Sequence, residues 1–443
     1  MKRKFLTVLL VMSMLLSTFL TACDNGASDD DLFGTSEPTK KQQTTSTTAP
    51  DTQTEVPKNL TAEILYENGA IGHLINGVTV PIDDKTSITL NYQGWPTICK
   101  GEGDTIYAAS SLRIGHVDPF GAICFYKSED GGNTWTDPRI IIDTPLDDRD
   151  AGIVYLGNNK LLVSWFTHDT PGYFENDDPT WTKWLDKVTE EQRVALTKKW
   201  NALPATEKIG RSYVAISNDG GQTWEEPTAI PVTAPHGPSL MNDGRTLMCI
   251  GPAKGAQHCG FSDFKSNNLY IIKSTDYGKT WRHEATLPKP ENGSFTFGEA
   301  YLIQLQDGSY IAAARGQRTT DNDAMRVWTA FSSNGRTWTD FEEIEGLVGA
   351  PPHFLQTESG VLIMAYSYRV QPVGSRARLS YDGGKTWSDE IILCIADNDA
   401  NGDLGYPSTV ELSDGTLVTA YYQRVGNDLY GSFLYTKWKL VEK

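Results

Sequence analysis

The sequence predicts an all-β fold, a six-bladed β-propeller with one helical insertion. Three observations predict it. A short segment recurs as SEDGGNTW at Ser128–Trp135, SNDGGQTW at Ser217–Trp224, STDYGKTW at Ser274–Trp281 and SYDGGKTW at Ser380–Trp387. A worn copy, FSSNGRTW at Phe331–Trp338, reads as Phe for the first Ser and Ser for the Asp. Between these copies fall six hairpin-like stretches, beginning at Gly94, Ala151, His236, Gly298, Pro351 and Gly405. The composition, 39% hydrophobic with 12 Trp, 19 Tyr and 40 Gly, suits a β chain with many turns. Self-similarity at such spacing is the mark of a repeat architecture.

Each element has a local cause. In the short repeat, Ser and Asp oxygens can satisfy backbone N–H groups in a turn, Gly supplies positive φ, and Trp pins the turn to its neighbour. The repeats therefore mark outer strand pairs, with their tryptophans largely buried at the rim. The six longer stretches each run from a small or polar start, through apolar alternation, to a turn and a strongly apolar strand. Their turns align at Gly103, Asn159, Gly244, Gly308, Gly360 and Gly415. Six inner hairpins mean six blades. Part of Leu60–Leu90 is expected to pair with Tyr430–Val441 and close the ring, leaving no open edge. Residues 171–207 break the β rhythm. Thr189-Glu190-Glu191-Gln192 has the form of a capping box, and Val194, Ala195, Leu196 and Trp200 follow at helical spacing, giving a helix over Glu190–Asn201. The insertion reads as a decorated loop, or as a lid whose Tyr173, Phe174, Trp181 and Trp184 stack on sugar rings.

The N-terminus reads as an address. Lys2, Arg3 and Lys4 precede a largely apolar Phe5–Leu20, too short for a membrane span and shaped like a signal peptide over 1–22. Residues 23–57 are rich in Thr, Ser, Asp, Gln and Pro, the composition of a disordered tether. The propeller occupies 58–443. Five cysteines remain beyond Cys23, an odd number that implies no complete disulfide framework. The net charge of −17 argues against nucleic acid as a partner.

In a propeller the loops entering the inner strands converge on one face. The starts of the inner hairpins bring Trp95, Asp150, His236, Glu299, His353 and Tyr406 to the axis, with Arg149 beside Asp150. Their ends bring Arg113, His168, Arg315 and Arg369. Recurrence at equivalent positions makes this ring a candidate site.

The short repeat resembles the Asp box, Ser-x-Asp-x-Gly-x-Thr-Trp, of the sialidase (neuraminidase) superfamily. The resemblance implies that the box aspartates are structural and lie on the outer rim. In that family a Tyr is the nucleophile, a Glu takes its proton, an Asp is acid and base, and three Arg hold the substrate carboxylate. The segment Gly405-Tyr406-Pro407-Ser408 is similar to the nucleophile segment, so the resemblance gives Tyr406 that role and Glu299 the role of base. Arg315 takes one triad position, and Arg369 or Arg376 another. Asp118 or Asp150 is the acid/base. The family's first triad Arg has no counterpart, because Trp95 stands in its stretch; Arg113 or Arg149 is the substitute from a neighbouring loop. The histidines His116, His168, His236 and His353 imply a differently shaped sugar pocket, with His236 and His353 at the substrate. No metal spacing and no cofactor are found. Leu20-Thr21-Ala22-Cys23 resembles a bacterial lipobox, which implies lipidation of Cys23 and a membrane-anchored, extracytoplasmic protein.

The expected function is an exo-acting glycoside hydrolase that removes terminal sugars from extracellular glycans. The expected partner is a glycan or oligosaccharide; the membrane is met only through the lipid anchor, and the protein is expected to be a monomer. A polysaccharide lyase on the same propeller, or a non-catalytic glycan-binding lipoprotein, are the alternatives.

Overall fold

The computed structural model describes residues 59–443, except 72–76, 169–170, 175–180, 266–267, 288–294, 319–324, 397–401 and 426–429. The signal segment, Cys23 and the tether lie outside the described residues.

Six four-stranded antiparallel sheets form the blades. The first comprises Tyr92–Lys100, Ile106–Arg113, Ala122–Ser128 and Arg139–Ile142. The second runs from Asp147–Tyr155 through Leu161–His168 and Ser212–Ser217 to Thr228–Ile230. The third opens with Ser239–Leu240, the fourth with Phe295–Gln304 and the fifth with Pro352–Gln356. The sixth takes Gly405–Glu411, Leu417–Gln423 and Ser432–Glu442 from the C-terminus and its outer strand, Leu60–Ala70, from the N-terminal side. That closure is the expected one, antiparallel from Leu60 opposite Glu442 to Ala70 opposite Leu434, with register shifts between Ile64 and Tyr66 and between Tyr66 and Gly69. It also explains why five boxes serve six blades: the sixth blade has no hairpin between its third and fourth strands for a box to hold.

The boxes are hydrogen-bonded turns between third and fourth strands. Ser128 Oγ accepts from Gly132 N at 2.8 Å, while Asp130 accepts from Thr134 N at 2.9 Å and from Thr134 Oγ1 at 2.7 Å. The equivalent bonds of the second box hold Asp219 down to about 2, the Thr223 hydroxyl first among them. The worn copy corrects the sequence reading. Ser332 Oγ accepts from Gly335 N at 2.8 Å and Asn334 Oδ1 accepts from Thr337 N at 2.9 Å. The copy is thus one residue short between its Ser and its Gly, with Asn in the Asp role. The box tryptophans are half-buried rather than largely buried. The indoles of Trp135, Trp281 and Trp338 lie along their own turns, as where Trp281 Nε1 donates to Gly278 O at 2.9 Å, and leave part of the ring in solvent.

The insertion holds a helix over Glu190–Ala202 with the expected capping box: Gln192 N donates to Thr189 Oγ1 at 3.2 Å, and Thr189 N to Gln192 Oε1 at 2.9 Å. Its aromatics face inward. Tyr173, Trp184 and Trp200 are each 1% exposed and pack with Leu90, Ile114 and Phe120 of the first blade and its approach. The lid reading therefore fails for Tyr173 and Trp184, whose faces are taken by the core. All five described cysteines are free.

Candidate active site

One backbone device, repeated in four blades, builds the site. The inner strand is bulged at Gly94/Thr97, Arg149/Gly152, Gly298/Tyr301 and Gly405/Ser408. Inside each bulge one non-glycine residue has left-handed backbone: Trp95 (φ 50°), Asp150 (56°), Glu299 (43°) and Tyr406 (55°). A bulge re-aims a side chain, and left-handed backbone costs a bulky residue about 1–2 kcal/mol, so such strain gathers at functional sites. The displaced amides are caught by serines of the preceding blade. Asp150 N donates to Ser111 Oγ at 2.9 Å, and Tyr406 N to Ser367 Oγ at 3.0 Å. That approach explains Gly405, where a Cβ would lie 2.1 Å from Ser367 Oγ.

At the centre, Tyr406 Oη donates to Glu299 Oε1 at 2.5 Å and lies 3.3 Å from Asp150 Oδ2. Arg315 Nη1 donates to the same Glu299 oxygen at 2.6 Å. Burial, then the charges of Asp150 and Glu299, push the Tyr406 phenol well above its ordinary range. Free phenolate is therefore disfavoured, and the hydroxyl needs a base in contact with it to become a nucleophile. Asp150 is pushed up to about 6, chiefly by burial and also by Glu299, with Arg149 and Arg113 opposing.

Three guanidiniums surround this pair. Arg149 lies 4.3 Å from the centre of the Trp95 ring and 3.5 Å from Asp150 Oδ1. Arg369 lies beside Gly405, and burial opposes its charge while Tyr422, Glu299, Tyr406 and Asp403 support it. The buried Nε atoms of Arg149, Arg315 and Arg369, with Glu299 Oε2, have no hydrogen-bond partner among the described residues. Buried guanidinium donors without a partner suit an anionic ligand.

The remaining candidates play other parts. Arg113 is fully buried; its guanidinium donates to Asp147 Oδ1 at 2.5 Å and to the carbonyls of Gly115, Asp148 and Asp118, so it braces the loop. Asp118 accepts from Ile114 N and Phe120 N, both at 2.8 Å, which occupies its carboxyl within its own turn. Arg376, on the third strand of the fifth blade, donates to the carbonyls of Cys394 and Pro372 and is 1% exposed, so it stands apart from the axis. His236 and His353 are 1% and 5% exposed and pave the floor beneath Tyr406, with His236 5.8 Å from the Tyr406 ring. Burial pushes His236 down to about 3 and His353 well below its usual range, so both are neutral. His353 also accepts from Thr409 N at 3.3 Å. No group of His, Cys, Asp and Glu among the described residues could hold a metal ion.

Sequence reasoning missed Asp147 and Asp403. Asp147 Oδ1 holds Arg113, and its Oδ2 lies 3.6 Å from Arg149 and accepts from Tyr173 of the insertion at 2.8 Å. Asp403 accepts from Tyr92 Oη at 2.7 Å and from Tyr422 Oη at 3.2 Å. Neither stands at a position repeated between blades, so the periodicity held no signal for them.

Residues 255–423 match the family model described as BNR repeat-like domain, and residues 215–226 match the BNR/Asp-box repeat. A sialidase of Bacteroides fragilis is 24% identical over 397 residues, covering 84% of this chain; the chain spans 66% of that relative's length. A protein of unknown function from Dyadobacter fermentans superposes with a TM-score of 0.64 at 21% identity, covering 86% of this chain and 99% of that one. A mutant of NanB sialidase from Streptococcus pneumoniae superposes with a TM-score of 0.55 at 13% identity, covering 80% and 68%. At these identities the superpositions speak for a shared fold.

Proposed function

We propose that this chain, a BNR/Asp-box propeller of the sialidase superfamily, is an exo-acting glycoside hydrolase that removes a terminal, carboxylate-bearing sugar from extracellular glycans. One observation carries the reading: the Tyr406 hydroxyl lies 2.5 Å from Glu299, and Arg149, Arg315 and Arg369 surround them. Glu299 takes the phenol proton as Tyr406 attacks the anomeric carbon. A neutral phenol approaches a centre that carries its own carboxylate without the repulsion a carboxylate nucleophile would meet. The guanidiniums hold the sugar's carboxylate, Arg149 in the place that Trp95 leaves without an Arg. Lipidated Cys23 and the 23–57 tether would keep the propeller at the outer face of a bacterial membrane.

The test is a panel of 4-methylumbelliferyl glycosides with the purified protein, including the α-glycoside of N-acetylneuraminic acid and glycosides of uronic and neutral sugars. Release from an acidic sugar is expected. Release of an unsaturated uronate absorbing in the ultraviolet would show a lyase instead. Binding without turnover of any substrate would show a lectin.

A further inference from the structure

A retaining glycosidase needs an acid on the leaving-group side, roughly 5 Å from the nucleophile. Glu299 and Asp150 both touch the Tyr406 hydroxyl itself, and Asp118 is closed into its turn. That same turn carries His116, which is exposed. The His116 side chain is 52% exposed, and its ring meets Trp95 edge-on at 5.2 Å. Trp95 is also the neighbour of Tyr406, at 6.5 Å between rings. The histidine and the nucleophile thus flank one indole.

His116 is oriented from across the ring closure. Its Nδ1 lies 2.9 Å from Asp403 Oδ1, on the approach to the sixth blade, and 3.3 Å from Tyr92 Oη. Burial works against the Asp403 charge, but His116, Tyr92 and Tyr422 hold its carboxyl below the usual carboxylate range. Asp403 is thus an acceptor, not a proton source. A carboxylate on Nδ1–H fixes the tautomer and leaves Nε2 as the working nitrogen.

We propose that His116, oriented by Asp403, is the general acid and base for the leaving group. The proposal rests on Tyr406 as nucleophile. In the first half-reaction the bond from Tyr406 Oη to the anomeric carbon forms and the glycosidic C–O bond breaks. The phenol proton passes to Glu299, and doubly protonated His116 gives its Nε2 proton to the departing oxygen, becoming neutral with Nδ1–H kept on Asp403. In the second, neutral His116 takes a proton from water as that oxygen bonds the anomeric carbon. Tyr406 then leaves and recovers its proton from Glu299.

The test compares two glycosides of the sugar that the wild-type protein hydrolyses. A 2,4-dinitrophenyl leaving group needs no proton; a methyl leaving group does. His116→Gln is expected to lower kcat/KM for the methyl glycoside by roughly 10²–10⁴-fold and for the dinitrophenyl glycoside less than about tenfold. Added azide is expected to restore kcat on the dinitrophenyl substrate and yield the glycosyl azide. Asp403→Asn should show a weaker form of the same leaving-group dependence. Equal losses on both substrates, or no loss on either, would overturn the role of His116. Tyr406→Phe separates the two readings: if it still turns over the dinitrophenyl glycoside, the nucleophile assignment fails whatever His116 does.

Discussion

The guanidinium carbon of Arg149 lies 4.3 Å from the centre of the Trp95 ring, so an arginine from the second blade rests on an aromatic face from the first. The ring face stabilises the cation, and Asp147 and Asp150, at 3.6 and 3.5 Å, balance its charge. Arg149→Lys keeps the charge but loses the planar fork. KM for an acidic glycoside should rise about tenfold or more, equivalent to about 1.4 kcal/mol of binding, with little change for a neutral one. Steady-state kinetics on a matched pair of substrates checks this; equal effects on both would show that Arg149 does not read the carboxylate.

The box carboxylates should matter for stability alone. Asp382 accepts from Thr386 N at 2.9 Å and from Thr386 Oγ1 at 2.6 Å on the rim of the fifth blade. Asp382→Ala should lower unfolding free energy by about 1–3 kcal/mol with kcat unchanged. An unchanged melting temperature with lost turnover would contradict it.

Asp150 gives a pH dependence. Its folded pKa is raised to about 6, so the folded protein holds this proton to higher pH than the unfolded chain does. The stability it contributes is fully present below the ordinary carboxylate pKa and falls as pH rises to about 6. Asp150→Asn removes that loss. The variant should gain stability relative to wild type between pH 4 and pH 7, by an amount on the order of 2 kcal/mol, read as the difference between two melting curves at each pH. A gap that does not change with pH would show that Asp150 ionises normally.

Periodic features were legible in the sequence and unrepeated ones were not. The box turns and the inner hairpins are set by residues within a few positions of each other, and six hairpins dictate six blades. Trp95, Asp150, Glu299 and Tyr406 were found because each occupies the same bulge. Which arginine faces the cavity depends on strand and on partner. Arg376 lies one strand further out than Arg369, and Arg113 of the first blade is held by Asp147 of the second. The loop of Asp118 was placed rightly before the first box, but its carboxyl caps Ile114 and Phe120, a bond pattern that spacing does not reveal. The worn box misled because a deletion and two substitutions look alike in one copy.

The pair at the centre carries the sharpest expectation. Tyr406 and Glu299 come from the sixth and fourth blades, and 107 residues separate them, so only ring closure brings them to 2.5 Å. Tyr406→Phe removes one oxygen and keeps the ring among Trp95, Tyr422 and His236. Loss of a nucleophile leaves binding intact, so kcat should fall by at least about 10³-fold, some 4 kcal/mol, with KM little changed. Glu299→Gln should act differently. It keeps the size of the side chain but removes the base, and it leaves Arg315 without its carboxylate. Turnover should fall about 10²–10⁴-fold, and freeing Arg315 should tighten binding of acidic products. The double variant should be hardly slower than Tyr406→Phe alone, because a base has no task once its nucleophile is gone. Losses that multiply in the double variant would mean that the two side chains act independently, and that the 2.5 Å bond is architecture rather than mechanism.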